Sequence, residues 1–264
     1  MTVSGVNFGN VATDYAAFRA GFPDSIFERL ASFGIGLPGQ AVVDLGTGTG
    51  TLARGFARRG CRVVGLDPDA RMLAAAQTLD REQRLEIAYL QANAEATGLA
   101  SASAEVVAAG QCWHWFDRPR AIDEVVRVLR NGGKLVIAHF DWLPLPGSVP
   151  EATERLIERY NGGWHLGGGN GLYPQWLPDL RQRGFRNIAD FHYDVDVPYT
   201  PAAWRGRIRA SAGIAALTAE RIGEFDAALG RLLTERFPQE TLTVTHRVFA
   251  IVAETPSNAG SPPN

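Results

Sequence analysis

Val42-Val43-Asp44-Leu45-Gly46-Thr47-Gly48-Thr49-Gly50-Thr51-Leu52-Ala53 is the stretch whose reading decides the fold of this chain. It opens as an apolar run of the kind that forms a buried strand and ends at the start of a helix, with three glycines at alternate positions between. Lacking Cβ atoms, the glycines let the backbone turn tightly and approach a ligand. The helix that follows offers free N–H groups in its first turn. The spacing, Asp-x-Gly-x-Gly-x-Gly, differs from the G-x-G-x-x-G of dinucleotide-binding turns. Downstream, Cys61-Arg62-Val63-Val64-Gly65-Leu66-Asp67 reads as an apolar strand ending in an acid. That acid stands about 20 residues after the glycines, where a ribose-binding carboxylate belongs. A helix over 51–59, stopped at Gly60, joins the two strands. Together these pieces make a right-handed βαβ unit.

The alternation continues along the chain. A helix is expected over 70–79 with Met72 on its packing side, then a strand over 85–92 followed by Asn93-Ala94-Glu95. A strand over 104–110 runs directly into Gln111-Cys112-Trp113-His114-Trp115-Phe116-Asp117. A helix over 120–129 buries Ile122, Val125, Val126 and Leu129, and Arg130-Asn131-Gly132-Gly133 stops it before a strand over 134–140. Strands alternating with helices predict a doubly wound α/β sheet. Ligands of such sheets bind beyond the carboxyl ends of the strands, so the aromatic run 111–117 belongs at the mouth of the site.

The Asp44–Gly50 pattern resembles motif I of class I S-adenosylmethionine (SAM)-dependent methyltransferases, and the resemblance, to the methyltransferase type 11 domain, is continuous from Asp44 to Phe140. Gln-x-Trp-His-Trp-Phe is similar to a bacterial branch related to trans-aconitate methyltransferases. The resemblance implies a seven-stranded, Rossmann-like doubly wound sheet with a helical cap, and SAM lying across the strand ends. Asp44, Gly46, Thr47, Gly48 and Gly50 would line its methionine and ribose parts, Asp67 would hold the ribose, and Asn93 and Ala94 the adenine. Asn93 stands where the family usually has an acid, but its side-chain carbonyl still accepts a hydrogen bond. Gln111 would meet the methionine end, and Trp113 or His114 would border the sulfonium, whose charge is attracted by aromatic faces. One of Trp113 and Trp115 is expected to pack on the following helix instead. In related enzymes a Tyr…Arg…Pro segment folds over SAM as a lid; Tyr15 and Arg19, ahead of Pro23, would then face the methionine carboxylate or the substrate.

Composition bounds the rest. A chain of 264 residues is ample for a sizeable core, and its net charge of -2 argues against a general nucleic-acid surface. No apolar run approaches the length that spans a bilayer, and no basic-then-apolar export signal opens the chain, so a cytoplasmic location away from membranes is expected. Cys61 and Cys112 read as core thiols. The expected organisation is a lid and helix over 1–38, a SAM-binding core over 39–140, a cap with closing strands over 141–254, and a disordered tail over 255–264. Within the cap, a helix over 150–160 should expose Glu151, Glu154, Arg155, Glu158 and Arg159. The glycine-rich stretch 161–174, with Trp164, His165 and Tyr173, is a candidate substrate-covering loop. Arg205 and Arg209 share one face of a helix over 201–211. Facing the site they would bind an anion; facing out they are ordinary solvated charges. The strand over 243–253 should be the antiparallel partner that closes the sheet.

The function implied is methyl transfer from SAM to a small-molecule acceptor, a carboxylate among the options. A base is needed only where the acceptor must lose a proton, and His114, His165, Tyr173 and Glu154 are the candidates. No DPPY- or NPPY-type tetrapeptide of nucleic-acid methyltransferases is present. Two rivals stand beside this reading: an enzyme that consumes SAM without methylating, for example by cyclising its side chain with release of methylthioadenosine, and a non-catalytic SAM-binding module. Oligomeric state is not written in the sequence.

Overall fold

The computed structural model of the chain describes residues 21–256. Tyr15, Arg19 and the remainder of the lid segment, and most of the tail, lie outside the described residues.

Seven strands form one sheet, in the order β3-β2-β1-β4-β5-β7-β6. They are β1 (Ala41–Leu45), β2 (Arg62–Asp67), β3 (Ala88–Gln91), β4 (Ala104–Gly110), β5 (Leu129–Trp142), β6 (Arg186–Tyr199) and β7 (Leu242–Glu254). The first five are parallel, with β1 between β2 and β4 in the register Asp44↔Gly65 and Asp44↔Ala108. The chain reverses its walk across the sheet at β1/β4, the switch point where parallel sheets bind ligands.

β7 corrects one expectation. It does not close the sheet; it is inserted between β5 and β6, and β6 is the edge. Its direction is antiparallel to both, as Leu143 pairs with Thr245 while Gly133 pairs with Thr255, and Asp196 meets Thr245 while Asn187 meets Glu254. β5 also starts earlier than the apolar run indicates. Its register to β4 shifts between Ala104 and Val106, which face Leu129 and Lys134, so Arg130–Gly133 is a bulge within the strand. β3 is shorter than expected, and the helix before it longer.

Nine helices occur among the described residues: α1 (Asp24–Ala31), α2 (Thr51–Ala57), α3 (Ala70–Gln83), α4 (Arg118–Val128), α5 (Val149–Tyr160), α6 (Leu177–Gln182), α7 (Pro201–Arg209), α8 (Ala212–Ala215) and α9 (Ala219–Arg236). Capping explains several boundaries. Asp69, Asp117, Ser148, Thr200 and Thr218 each accept a backbone N–H of the helix they precede.

By contacts the chain divides into two compact units. The first comprises Gly21–His139, Tyr173–His192 and the chain from Phe249 onward; it holds β1 to β4 and the glycine turn. Its core includes Ile26, Phe27 and Leu30 of α1, the strand interiors, and Phe56 and Trp113. The second comprises Phe140–Leu172 and Tyr193–Val248. Its core gathers Ile157, Trp204, Ile208, Phe225, Leu229 and Leu233. Trp204 is fully buried, worth about 2–3 kcal/mol by area alone, and its indole N–H is satisfied by Thr153 at 3.0 Å.

Candidate functional site

The glycine turn follows β1 in the first unit. Gly46, Gly48 and Gly50 have φ of 59°, 56° and 80°, the left-handed region that favours glycine. Two of the three are also demanded by packing. A Cβ on Gly46 would stand 2.9 Å from Cys112, and one on Gly50 would stand 2.6 Å from the Tyr89 hydroxyl. Gly48 differs: among the described residues a Cβ there would meet only the Met72 methyl at 3.4 Å, an ordinary contact.

Asp44, at the end of β1, is fully buried. Its Oδ2 accepts the Thr47 hydroxyl at 2.6 Å, while Oδ1 has no hydrogen-bond partner among the described residues. Burial pushes its carboxyl up to about 7, the Thr47 hydroxyl opposing. Asp67 ends β2 and is less enclosed. One oxygen accepts the Gly48 N–H and the other the Asp69 N–H, both at 2.9 Å. Each oxygen keeps a second lone pair, enough to accept a ribose diol. Burial raises the Asp67 carboxyl and the two N–H donors hold it down. These features fit SAM: an orphaned buried acceptor suits a cationic amino group, a bare glycine backbone gives close approach, and a two-oxygen acceptor suits the ribose.

Beneath the turn lies a polar network that the sequence reading missed. Arg54 donates to the Thr49 carbonyl at 2.6 Å and to Asp80 at 3.2 Å, and both side chains are buried. The Tyr89 hydroxyl stands beside Asp80, and burial pushes that phenol upward. Helix α2 is thus braced to α3 and β3 directly under Gly50.

Farther along the strand ends, Asn93 bridges to Ala96, and buried Ala94 lies in the turn between them. Gln111, just after β4, has a φ of 61°. A left-handed conformation in a non-glycine residue is strained, and such strain gathers at functional sites. Its N–H donates to the Ala138 carbonyl at 2.8 Å, which pins the exit of β4 to β5.

Trp113, His114 and Trp115 form a short 3-10 turn. Trp113 is completely buried and edge-on to Phe116 at 5.7 Å, so it is the member of the tryptophan pair that packs in the core. His114 is exposed, 4.5 Å from the Trp115 ring and 5.6 Å from that of His139. His139, near the carboxyl end of β5, is buried against Tyr173 at 4.2 Å and Trp176 at 5.1 Å, and those two stack at 4.4 Å. Two candidates, His114 and Tyr173, are therefore joined through a third residue that the sequence reading passed over. The available signal was a histidine near the carboxyl end of an apolar parallel strand.

The other two candidates, His165 and Glu154, are in the second unit. His165 is exposed, with Nδ1 3.2 Å from the Gly163 carbonyl. Glu154 is not on the exposed side of α5 as expected; it is buried. Its oxygens accept the Trp142 indole N–H at 2.7 Å and the Gly168 N–H at 2.8 Å. A carboxylate committed to two donors is a tie for the glycine-rich loop, not a free base. Arg205 and Arg209 both pair with Asp226.

Residues 43–137 match the methyltransferase domain family. The chain is 37% identical over 132 residues to an uncharacterized methyltransferase of Mycobacterium tuberculosis, covering 49% of this chain and 50% of that one. It spans about half the length of the curated relatives it matches. Among solved structures, phosphoethanolamine N-methyltransferase 2 of Haemonchus contortus, held with phosphomonomethylethanolamine and S-adenosylhomocysteine, aligns with a TM-score of 0.58 at 20% identity, over 94% of this chain and 58% of that one. The [4+2]-cyclase SpnF aligns with a TM-score of 0.56 at 20% identity, over 97% of this chain and all of that one. At these identities the structural likeness speaks for the fold, and the match over 43–137 speaks for the domain. Residues 43–137 are thus similar to a methyltransferase domain, and the sheet that holds them has the fold of these solved enzymes.

Proposed function

We propose that the chain is a methyltransferase acting on a small-molecule acceptor. The observation that carries the reading is the conjunction at the β1/β4 switch point: a glycine turn, a buried Asp44 with an unpaired oxygen, and Asp67 with two acceptor sites left. Asp44 would take the amino group of the cofactor, Gly48 would allow close approach of its chain, and Asp67 would hold its ribose. Asn93 and Ala94 would receive the adenine, and Gln111 the methionine end.

Bound SAM supplies an activated methyl group on a positive sulfur. The residues around it then have little covalent chemistry to do; they orient the acceptor in line and exclude water. For an acceptor that must lose a proton, the His114–His139–Tyr173 group is the best candidate to receive it.

The test is incubation of the protein with SAM, alone and with pooled small metabolites, followed by mass spectrometry. A product heavier by one methyl group, with S-adenosylhomocysteine formed in step, is the expected result. Methylthioadenosine formed without any acceptor would overturn the reading in favour of side-chain transfer.

A further inference from the structure

Arg205 and Arg209 on α7 share Asp226, but the arginine between them does not. Two residues along a helix is about 200° of rotation, so Arg207 leaves from the opposite face. It is 93% buried, with only 7% of its surface exposed. Its guanidinium lies over the Trp142 ring, 4.8 Å from the centroid. Trp142 is itself fixed from two sides, edge-on to Trp204 at 5.6 Å and hydrogen-bonded to Glu154 at 2.7 Å. Burial lowers the Arg207 guanidinium from its usual range, and the Tyr199 phenol, to which it donates a hydrogen bond, and Asp141 favour its charge. No carboxylate among the described residues forms an ion pair with it, although Asp226 serves two neighbours one turn apart.

A buried guanidinium without a paired carboxylate is costly, and its planar fork is suited to bidentate recognition of a carboxylate or phosphate. The ring covers its flat face, which leaves the planar N–H fork at its edge as the binding surface. We propose that Arg207, seated on Trp142 beside Tyr199, is an oxyanion receptor of the second unit that takes a carboxylate or phosphate group. The proposal goes beyond the methyltransferase reading and stands on the second unit alone.

Titration calorimetry with sodium succinate and with inorganic phosphate tests it, on wild-type protein, Arg207→Met and Arg207→Lys. The first variant keeps the contact with Trp142 and removes the fork; the second keeps the charge and removes the fork. Saturable binding of one anion to wild type is expected, weakened at least about tenfold in Arg207→Met and less in Arg207→Lys. Binding of S-adenosylhomocysteine should be unchanged in both, which also reports folding. Succinate without phosphate assigns a carboxylate, and phosphate without succinate a phosphate group. Absence of saturable binding of either anion to wild type, or equal binding to Arg207→Met, overturns the proposal. Should Arg207→Met fail to bind S-adenosylhomocysteine, Arg207→Lys decides: lost anion affinity supports the proposal and retained affinity overturns it. Wild type that binds no S-adenosylhomocysteine would instead fail the methyltransferase reading, and the anion titrations would still judge Arg207.

Discussion

Asp44 and Asp67 both end strands at the same switch point, yet burial gives them different tasks. Asp67 keeps two acceptor positions beside its bonds to Gly48 and Asp69. Asp67→Ala should therefore weaken S-adenosylhomocysteine binding by about 1–3 kcal/mol through lost charge-assisted hydrogen bonds. Calorimetry checks this, with circular dichroism to confirm the fold; unchanged affinity would remove the ribose assignment. Asp44 is a pH probe. Its carboxyl is raised from 3.8 to about 7 by burial, so the native state holds a proton that the unfolded chain has released. Stability contributed by that proton is greatest below 3.8 and declines as pH rises to about 7. Three units correspond to about 4 kcal/mol as an upper value. Asn at this position has no proton to lose. The stability of wild type relative to Asp44→Asn should fall by up to that amount between pH 4 and 7 and then level. Urea unfolding at several pH values measures it, and a constant difference would contradict the assignment.

At the level of elements, the glycine turn separates packing from ligand approach. Gly46→Ala puts a Cβ 2.9 Å from Cys112 in a left-handed conformation. Strain and overpacking together should destabilise the fold by about 2–4 kcal/mol. Gly48→Ala carries the strain alone, about 1–2 kcal/mol, but adds a methyl group where close approach of the cofactor is proposed. Both should impair S-adenosylhomocysteine binding, and urea midpoints should rank Gly46→Ala as the less stable. Glu154→Leu belongs to the same scale: it strands two donors, costs about 2–4 kcal/mol, and should admit protease to 161–172 first, as limited digestion would show. These elements also show what was legible. The βαβ core was, because an apolar run, a glycine turn and a terminal acid are consecutive in the chain. Glu154 was not, since its burial depends on Trp142 and Gly168 from separate segments. Nor were the arginines of α7: only the fold brings Asp226 to Arg205 and Arg209 and leaves Arg207 on Trp142. The place of β7 was likewise a matter of pairing between distant strands, which no local pattern encodes.

Across the whole molecule, the cofactor assignments on described residues named under the proposed function share one property: Asp44, Gly48, Asp67, Asn93, Ala94 and Gln111 all belong to the first unit. Glu154, Arg207 and the glycine-rich loop belong to the second. A ligand that binds only the native state stabilises it by RT ln(1 + [L]/Kd), about 2.7 kcal/mol at one hundred times Kd. Amides that exchange by local opening gain protection only where the ligand holds the backbone. Hydrogen exchange with S-adenosylhomocysteine at that excess should therefore protect peptides covering 44–50, 67–69, 93–97 and 111–113. Slow core amides of the first unit should gain up to about a hundredfold. The amides of 161–172 should change little with S-adenosylhomocysteine alone, because the groups that hold the loop, Glu154, Gly213 and Arg247, all belong to the second unit. Strong protection of that loop by the cofactor product alone would contradict the roles assigned to Asp44 and Asp67.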